Sequence, residues 1–113
     1  MKKLRLVISS LVLLSYLSPI SAKDYPSIIW AAIANDKGIA ANYIQQSGNI
    51  NITDEYGNTA LFFAAEKGHI DMVRFLLENG ASTTVESNGV VKRAIDFTRD
   101  TAIIELLVEH QGK

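Results

Sequence analysis

Residues 54–81, D-E-Y-G-N-T-A-L-F-F-A-A-E-K-G-H-I-D-M-V-R-F-L-L-E-N-G-A, constrain this chain more than any other stretch. They encode a tight turn, a short helix, a second turn, a longer amphipathic helix and a glycine stop. Asp54 and Gly57 bracket the first turn, since Asp can bond its own backbone and Gly accepts positive φ. Thr59 is a good N-cap for a helix beginning near Ala60. That helix carries Leu61, Phe62, Phe63, Ala64 and Ala65, and its paired alanines admit a close neighbour; Gly68 ends it. The second helix spans Ile70 to Asn79, with Met72, Val73, Leu76 and Leu77 on one face at helical spacing. Arg74 and Glu78 fall on the other face, and Gly80 closes the unit. Such a unit cannot bury its own apolar face. It must stack on similar units, which makes a helical solenoid and favours binding over chemistry.

The segment closely resembles an ankyrin repeat, a unit of about 33 residues. The resemblance rests on Asp54, Gly57, Thr59, Leu61, Ala64, Ala65, Gly68, His69, Val73, Leu76, Leu77, Gly80 and Ala81. Ala60 stands where the family usually has Pro, and Phe62 where it usually has His.

The neighbours carry the pattern more faintly. Upstream, Ile29 to Ala34 reads as a first helix and Ile39 to Gln46 as a second, ended by Gly48. Asp36 is read as occupying the inter-helix glycine position, with Gly38 two places later. Gly48-Asn49-Ile50-Asn51 resembles the family's link with one residue missing. Downstream, Ala94 to Thr98 resembles the start of a repeat helix and Ile103 to Leu107 its partner, joined by a shortened turn. Weak terminal units are expected, because an end unit faces solvent on one side. The expected fold is an all-α, ankyrin-type solenoid of about three helix-turn-helix repeats (25–53, 54–86 and 87–113) with hairpin-like connecting loops.

Residues 1–22 are a different object. Lys2, Lys3 and Arg5 precede an apolar run from Leu6 to Leu17 interrupted only by serines. Ser18-Pro19-Ile20-Ser21-Ala22 then supplies a helix breaker and small residues, as a secretory signal cleaved between Ala22 and Lys23 requires. The competing reading, a membrane anchor, needs roughly 20 apolar residues, and the run is shorter. No Cys follows it, so a lipoprotein anchor is excluded. The short, lysine-led leader has a bacterial form, and the expected domain, 23–113, would reside in the periplasm or be secreted, with no stable membrane insertion after cleavage.

The chain holds 11 basic and 12 acidic side chains, and the leader takes three of the basic ones. The expected mature chain therefore carries 8 against 12, a net charge of −4. That argues against nucleic acid or an anionic membrane as partner, because both reward basic stripes. It leans instead toward a basic protein surface. The absence of cysteine excludes a disulfide framework and thiol redox chemistry.

The acid–base inventory is thin. His69 sits in the Gly-His turn, where the resemblance implies that the imidazole ties up loop backbone; His110 lies near the terminus and is expected to be frayed and exposed. The serines lack a nucleophile elbow, Gly57 and Gly89 each stand alone, and the histidines have no flanking ligand cluster. Neither an enzyme nor a cofactor or metal is expected.

The ankyrin resemblance implies a concave binding face of loop tips and exposed first-helix ends. Position by position it offers Glu55, Tyr56 and Asn58, then Glu66 and Lys67, with Ala34 and Asn35 before them and Asn88, Val90, Lys92 and Asp100 after. Tyr56 is the foremost of these, since tyrosines anchor interfaces. Phe62, Phe63 and Phe97 read as inter-repeat core and Trp30 as a shield for the open end of the stack. Two functions stay open. One is an exported monomeric module that binds another protein as an accessory, inhibitor or immunity factor, or as an effector. The other is a self-associating envelope scaffold.

Overall fold

The computed structural model describes residues 25–111. The leader and its cleavage junction at Ala22 and Lys23 lie outside them. Helices α1 (Ser27–Ala34) and α2 (Lys37–Gln45) form one antiparallel pair, and α3 (Ala60–Lys67) and α4 (Ile70–Glu78) the next. A hairpin of β1 (Thr84–Ser87) and β2 (Val90–Arg93) follows, then a 3-10 turn (Ala94–Phe97) and α5 (Thr101–Gln111). The all-α solenoid of about three repeats is therefore present, with one connecting loop drawn out into true strands.

The inner helices α1 and α3 lie side by side, and the 3-10 turn continues their row. Their close approach rests on Ala31, Ala32, Ala64 and Ala65, all 0–1 % exposed. The outer helix α4 presses Met72, Val73, Leu76 and Leu77 inward, and Ile103 and Leu107 of α5 complete the core. Burying a large aliphatic side chain is worth roughly 1.5–3 kcal/mol, and stacking is the only way these faces leave water. Phe62 is 2 % exposed and stacks on Phe97 with ring centroids 5.1 Å apart; Phe63 meets Tyr25 edge-on at 5.9 Å. These aromatics join the repeats. Trp30 is half-buried.

The first two repeats are in exact register. Each helix of the second begins and ends 33 positions after its counterpart (Ser27–Ala34 to Ala60–Lys67, Lys37–Gln45 to Ile70–Glu78). Three sequence expectations change in consequence. The counterpart of Gly68 (φ 75°) is Asn35 (φ 56°), not Asp36, and Asp36 instead caps α2 by accepting the Ile39 N–H at 3.1 Å. The counterpart of Gly80 (φ 92°) is Ser47 (φ 63°), so Ser47 rather than Gly48 makes the left-handed exit. Counted from Ser47, the link to the next repeat lacks no residue. Gly48 is required for a different reason: a Cβ there would come within 2.6 Å of the Tyr43 ring. Tyr43 fills the place of Leu76 and donates from its hydroxyl to the Asn49 carbonyl at 3.1 Å.

The third repeat departs further. The expected helix over Ala94–Thr98 is a single 3-10 turn, because Thr98 returns to extended backbone (φ −133°). Asp100 then restarts the chain as the cap of α5, its Oδ1 accepting the Ala102 N–H at 2.9 Å and the Ile103 N–H at 3.4 Å. Asp100 is thereby a capping residue rather than a free surface group. His110 is not frayed: it is half-buried on the last turn of α5, its Nδ1 3.1 Å from the Leu106 carbonyl oxygen. Arg74 pairs with Asp71 at 3.4 Å rather than with Glu78.

Candidate protein-binding surface

The turn at Asp54 is built from its own side chain. Asp54 Oδ1 accepts the N–H groups of Tyr56 at 2.8 Å and Asn58 at 2.9 Å. The Asp54 carbonyl takes the Gly57 N–H at 3.1 Å, and the Asp54 N–H donates to the Asn58 carbonyl at 3.0 Å. Gly57 supplies the positive φ of 80° and is buried; a Cβ there would meet Ser87 Cβ at 3.3 Å. The loop is thus held from within and backed by the hairpin.

Lys92 binds the two together. Its Nζ donates to the Tyr56 carbonyl and approaches Asn58 Oδ1 at 3.5 Å. Lys92 is half-buried, and its ammonium serves the scaffold more directly than it serves a partner. Asn58, also half-buried, takes part in the same clip.

What remains at the tip is Tyr56. Its side chain is 68 % exposed, although its N–H and carbonyl are both engaged. Glu55 beside it is exposed, as are Glu66 and Lys67 at the end of α3 and Asn35 at the end of α1. The helix ends at Asn35 and Glu66–Lys67 lie on adjacent, parallel inner helices, because α1 and α3 occupy the same register. A fixed backbone presenting a free aromatic ring is the arrangement that anchors interfaces at low ordering cost.

Asn88, expected on the binding face, is exposed and forms the hairpin turn with Gly89, at φ 53° and 77°. Positive φ at both central positions is the two-residue turn that Asn-Gly favours. The hairpin exposes Val90 (57 %) and Val91 (59 %), and pairs Glu86 with Val91 across the strands. Val91 and Glu86 were missed from sequence; the Asn-Gly pair between valine-bearing runs was the signal.

The charges follow the same division. Arg93 is engaged by Asp96 through Nε at 3.1 Å and Nη2 at 2.9 Å, and that hydrogen-bonded carboxylate raises the guanidinium pKa further. His69 makes no side-chain capping bond, contrary to the expectation for the Gly-His turn; its backbone alone serves there, donating to Ala64 O at 3.0 Å. Among the described residues no group of three or more His, Asp or Glu could hold a metal. No helix of the described residues is long and apolar enough to cross a membrane.

Two helix pairs at a 33-residue offset, with left-handed exits and a shared tip, find their counterpart in known proteins. The family model described as "Ankyrin repeats (3 copies)" matches residues 12–87 and again 28–113. The chain belongs to the ankyrin repeat family. It is 35 % identical over 66 residues to human Ankyrin repeat domain-containing protein 39, covering 58 % of this chain and 36 % of that protein. It is 40 % identical over 68 residues to zebrafish Inversin, covering 53 % of this chain and 7 % of Inversin. Against human Ankyrin repeat family A protein 2 the figures are 47 % over 49 residues, 43 % of this chain and 16 % of that protein. The chain thus spans a minor part of these relatives' length. Ankyrin repeats are non-catalytic scaffolds for protein–protein interaction, and this one is built as such.

Proposed function

We propose that this chain is an exported ankyrin module that binds another protein through its loop tips and concave helix face. It acts in the periplasm or outside a bacterial cell, as an accessory, inhibitor or immunity factor for its partner. The observation that carries the binding reading is Tyr56: a 68 % exposed aromatic ring on a loop whose backbone is bonded at both ends. Export rests on the basic start, the apolar run and the small residues before Lys23. The 8 basic and 12 acidic residues from Lys23 onward favour a basic partner.

The test is capture of the partner by the tagged 23–113 chain from native periplasmic extract, with identification by mass spectrometry. One stoichiometric partner, lost with Tyr56→Ala and retained with a change on the outer helices, supports the proposal. Recovery of the bait alone, or of further copies of itself, counts against it and favours a self-associating scaffold. N-terminal sequencing of the native protein checks export: a start at Lys23 is expected, and a start at Met1 overturns it.

A further inference from the structure

The hairpin has two edges, and they are not alike. The Ala94 N–H donates to the Thr83 carbonyl at 2.9 Å, which makes 83 and 94 a hydrogen-bonded pair. Such pairs alternate along an antiparallel ladder, so Val85 with Lys92 and Ser87 with Val90 are also bonded pairs. The backbone groups of Thr84 and Glu86 then point out from the β1 edge, and those of Val91 and Arg93 from the β2 edge.

On β1, the outward groups of Thr84 are already satisfied. The Ser82 hydroxyl donates to the Thr84 carbonyl at 2.7 Å and accepts the Thr84 N–H at 3.4 Å. On β2, the outward groups of Val91 and the Arg93 N–H have no hydrogen-bond partner among the described residues, while the Arg93 carbonyl, at the N-cap of the 3-10 turn, accepts that turn's first bond. The 54–58 loop does not cover this edge. It lies against the hairpin face that carries Ser87 and Lys92, as the contacts at Gly57 and Tyr56 require.

The side chains beside the open edge define what fits it. Val91 and Glu86 are paired on the outer face, both exposed, while Val90 is exposed on the other. The nearby cations are committed internally, Lys92 to Tyr56 and Asn58 and Arg93 to Asp96. The edge therefore offers aliphatic surface with one uncompensated carboxylate. A lysine or arginine opposite Val91 would lay its stem over the valine and bring its charge to Glu86, two strand spacings or about 10 Å across.

Resting on the binding-module reading, we propose that β2 accepts an extended segment of the partner protein as a third strand, one that alternates aliphatic and basic residues. Its backbone pairs with Val91 and Arg93, its aliphatic side chains cover Val90, and its basic ones answer Glu86. This is strand addition at a sheet edge, with affinity from the main chain and selectivity from alternate side chains.

The probe is a capped octapeptide alternating valine and lysine, titrated into the 23–113 chain, with a valine–glutamate octapeptide as control. Slowed hydrogen exchange at the Val91 and Arg93 amides is expected, with weaker binding of the glutamate peptide. Val91→Pro removes an outward N–H that the β1–β2 ladder does not use, and should weaken the lysine peptide by about tenfold or more. Glu86→Lys, which leaves every backbone bond in place, should reverse the preference between the two peptides. That variant keeps the proposal testable should Val91→Pro lower the melting temperature. Undiminished binding by Val91→Pro, protection elsewhere than Val91 and Arg93, or edge-to-edge dimers of the chain itself would each overturn it. With the native partner, loss of capture in Tyr56→Ala but not in Val91→Pro or Glu86→Lys sinks the third strand alone. Absence of any captured partner sinks the binding module beneath it.

Discussion

The first and second repeats hold the same backbone by different chemistry. Where the second uses Gly68 and Gly80 for its left-handed exits, the first uses Asn35 and Ser47. Where the second buries Leu76 beside Ala81, the first has Tyr43 beside Gly48, with the ring covering the space a methyl group would take. The caps differ too: Asp36 opens α2 with a side-chain bond, whereas His69 opens α4 without one. The second repeat is flanked on both sides and draws its stability from burial. Among the described residues the first has one neighbour, and its local hydrogen bonds include Tyr43 to Asn49 and the Asn49 Oδ1 that accepts the Asn51 N–H at 2.9 Å.

That contrast can be broken experimentally. The largest effect is expected at Leu76, which is 0 % exposed: Leu76→Ala should cost about 2–5 kcal/mol in urea unfolding. Its counterpart Tyr43→Ala, removing a half-buried ring, should cost less. Equal losses would mean that the two repeats share the load evenly. Because stacked repeats have only their neighbours, Leu76→Ala should also lower a single transition rather than split it.

A sharper probe is the exchanged pair. Gly48→Ala alone drives a methyl group into the Tyr43 ring and should destabilise by about 1–3 kcal/mol. Tyr43→Leu combined with Gly48→Ala rebuilds the Leu76–Ala81 arrangement and should recover much of that loss. A double-mutant cycle on thermal or urea melts measures the recovery, and strict additivity would refute the close approach.

The backbone difference predicts a gain. A non-glycine residue in the left-handed region costs roughly 1–2 kcal/mol, partly offset by the extra freedom glycine has when unfolded. Ser47→Gly should therefore raise the melting temperature by a few degrees, on the order of 0.5 kcal/mol. Asn35→Gly should change it less, since asparagine tolerates that conformation. Smallest of all is Glu66→Ala, an exposed substitution expected to stay within about 0.5 kcal/mol while weakening partner capture.

The second repeat was legible because its turns are glycine and its apolar spacing is regular. The first was misread by one position for a physical reason. Asn35 and Ser47 do a glycine's work, so no glycine marks either exit, and the pattern places Asp36 and Gly48, one position later, there instead. The third lost its first helix because Ala94 to Thr98 holds too few residues before Asp100 restarts the chain, and apolar spacing alone does not separate a 3-10 turn from a helix start. At the surface, Tyr56, Glu55, Glu66, Lys67 and Asn35 are exposed where the family pattern put them. Lys92 and Asp100 are engaged within the fold instead, because long-range and capping bonds leave no periodic trace.

The Lys92 clip has a thermodynamic consequence. It joins positions 36 apart in sequence, so the tyrosine-bearing tip and the hairpin move as one plate rather than as two loops. Ordering a mobile loop on contact consumes part of the interaction free energy. Here most of that entropy is lost when the chain folds, before any partner arrives. Association should accordingly show a small entropic penalty by calorimetry, and that penalty should grow once the lysine is replaced by methionine.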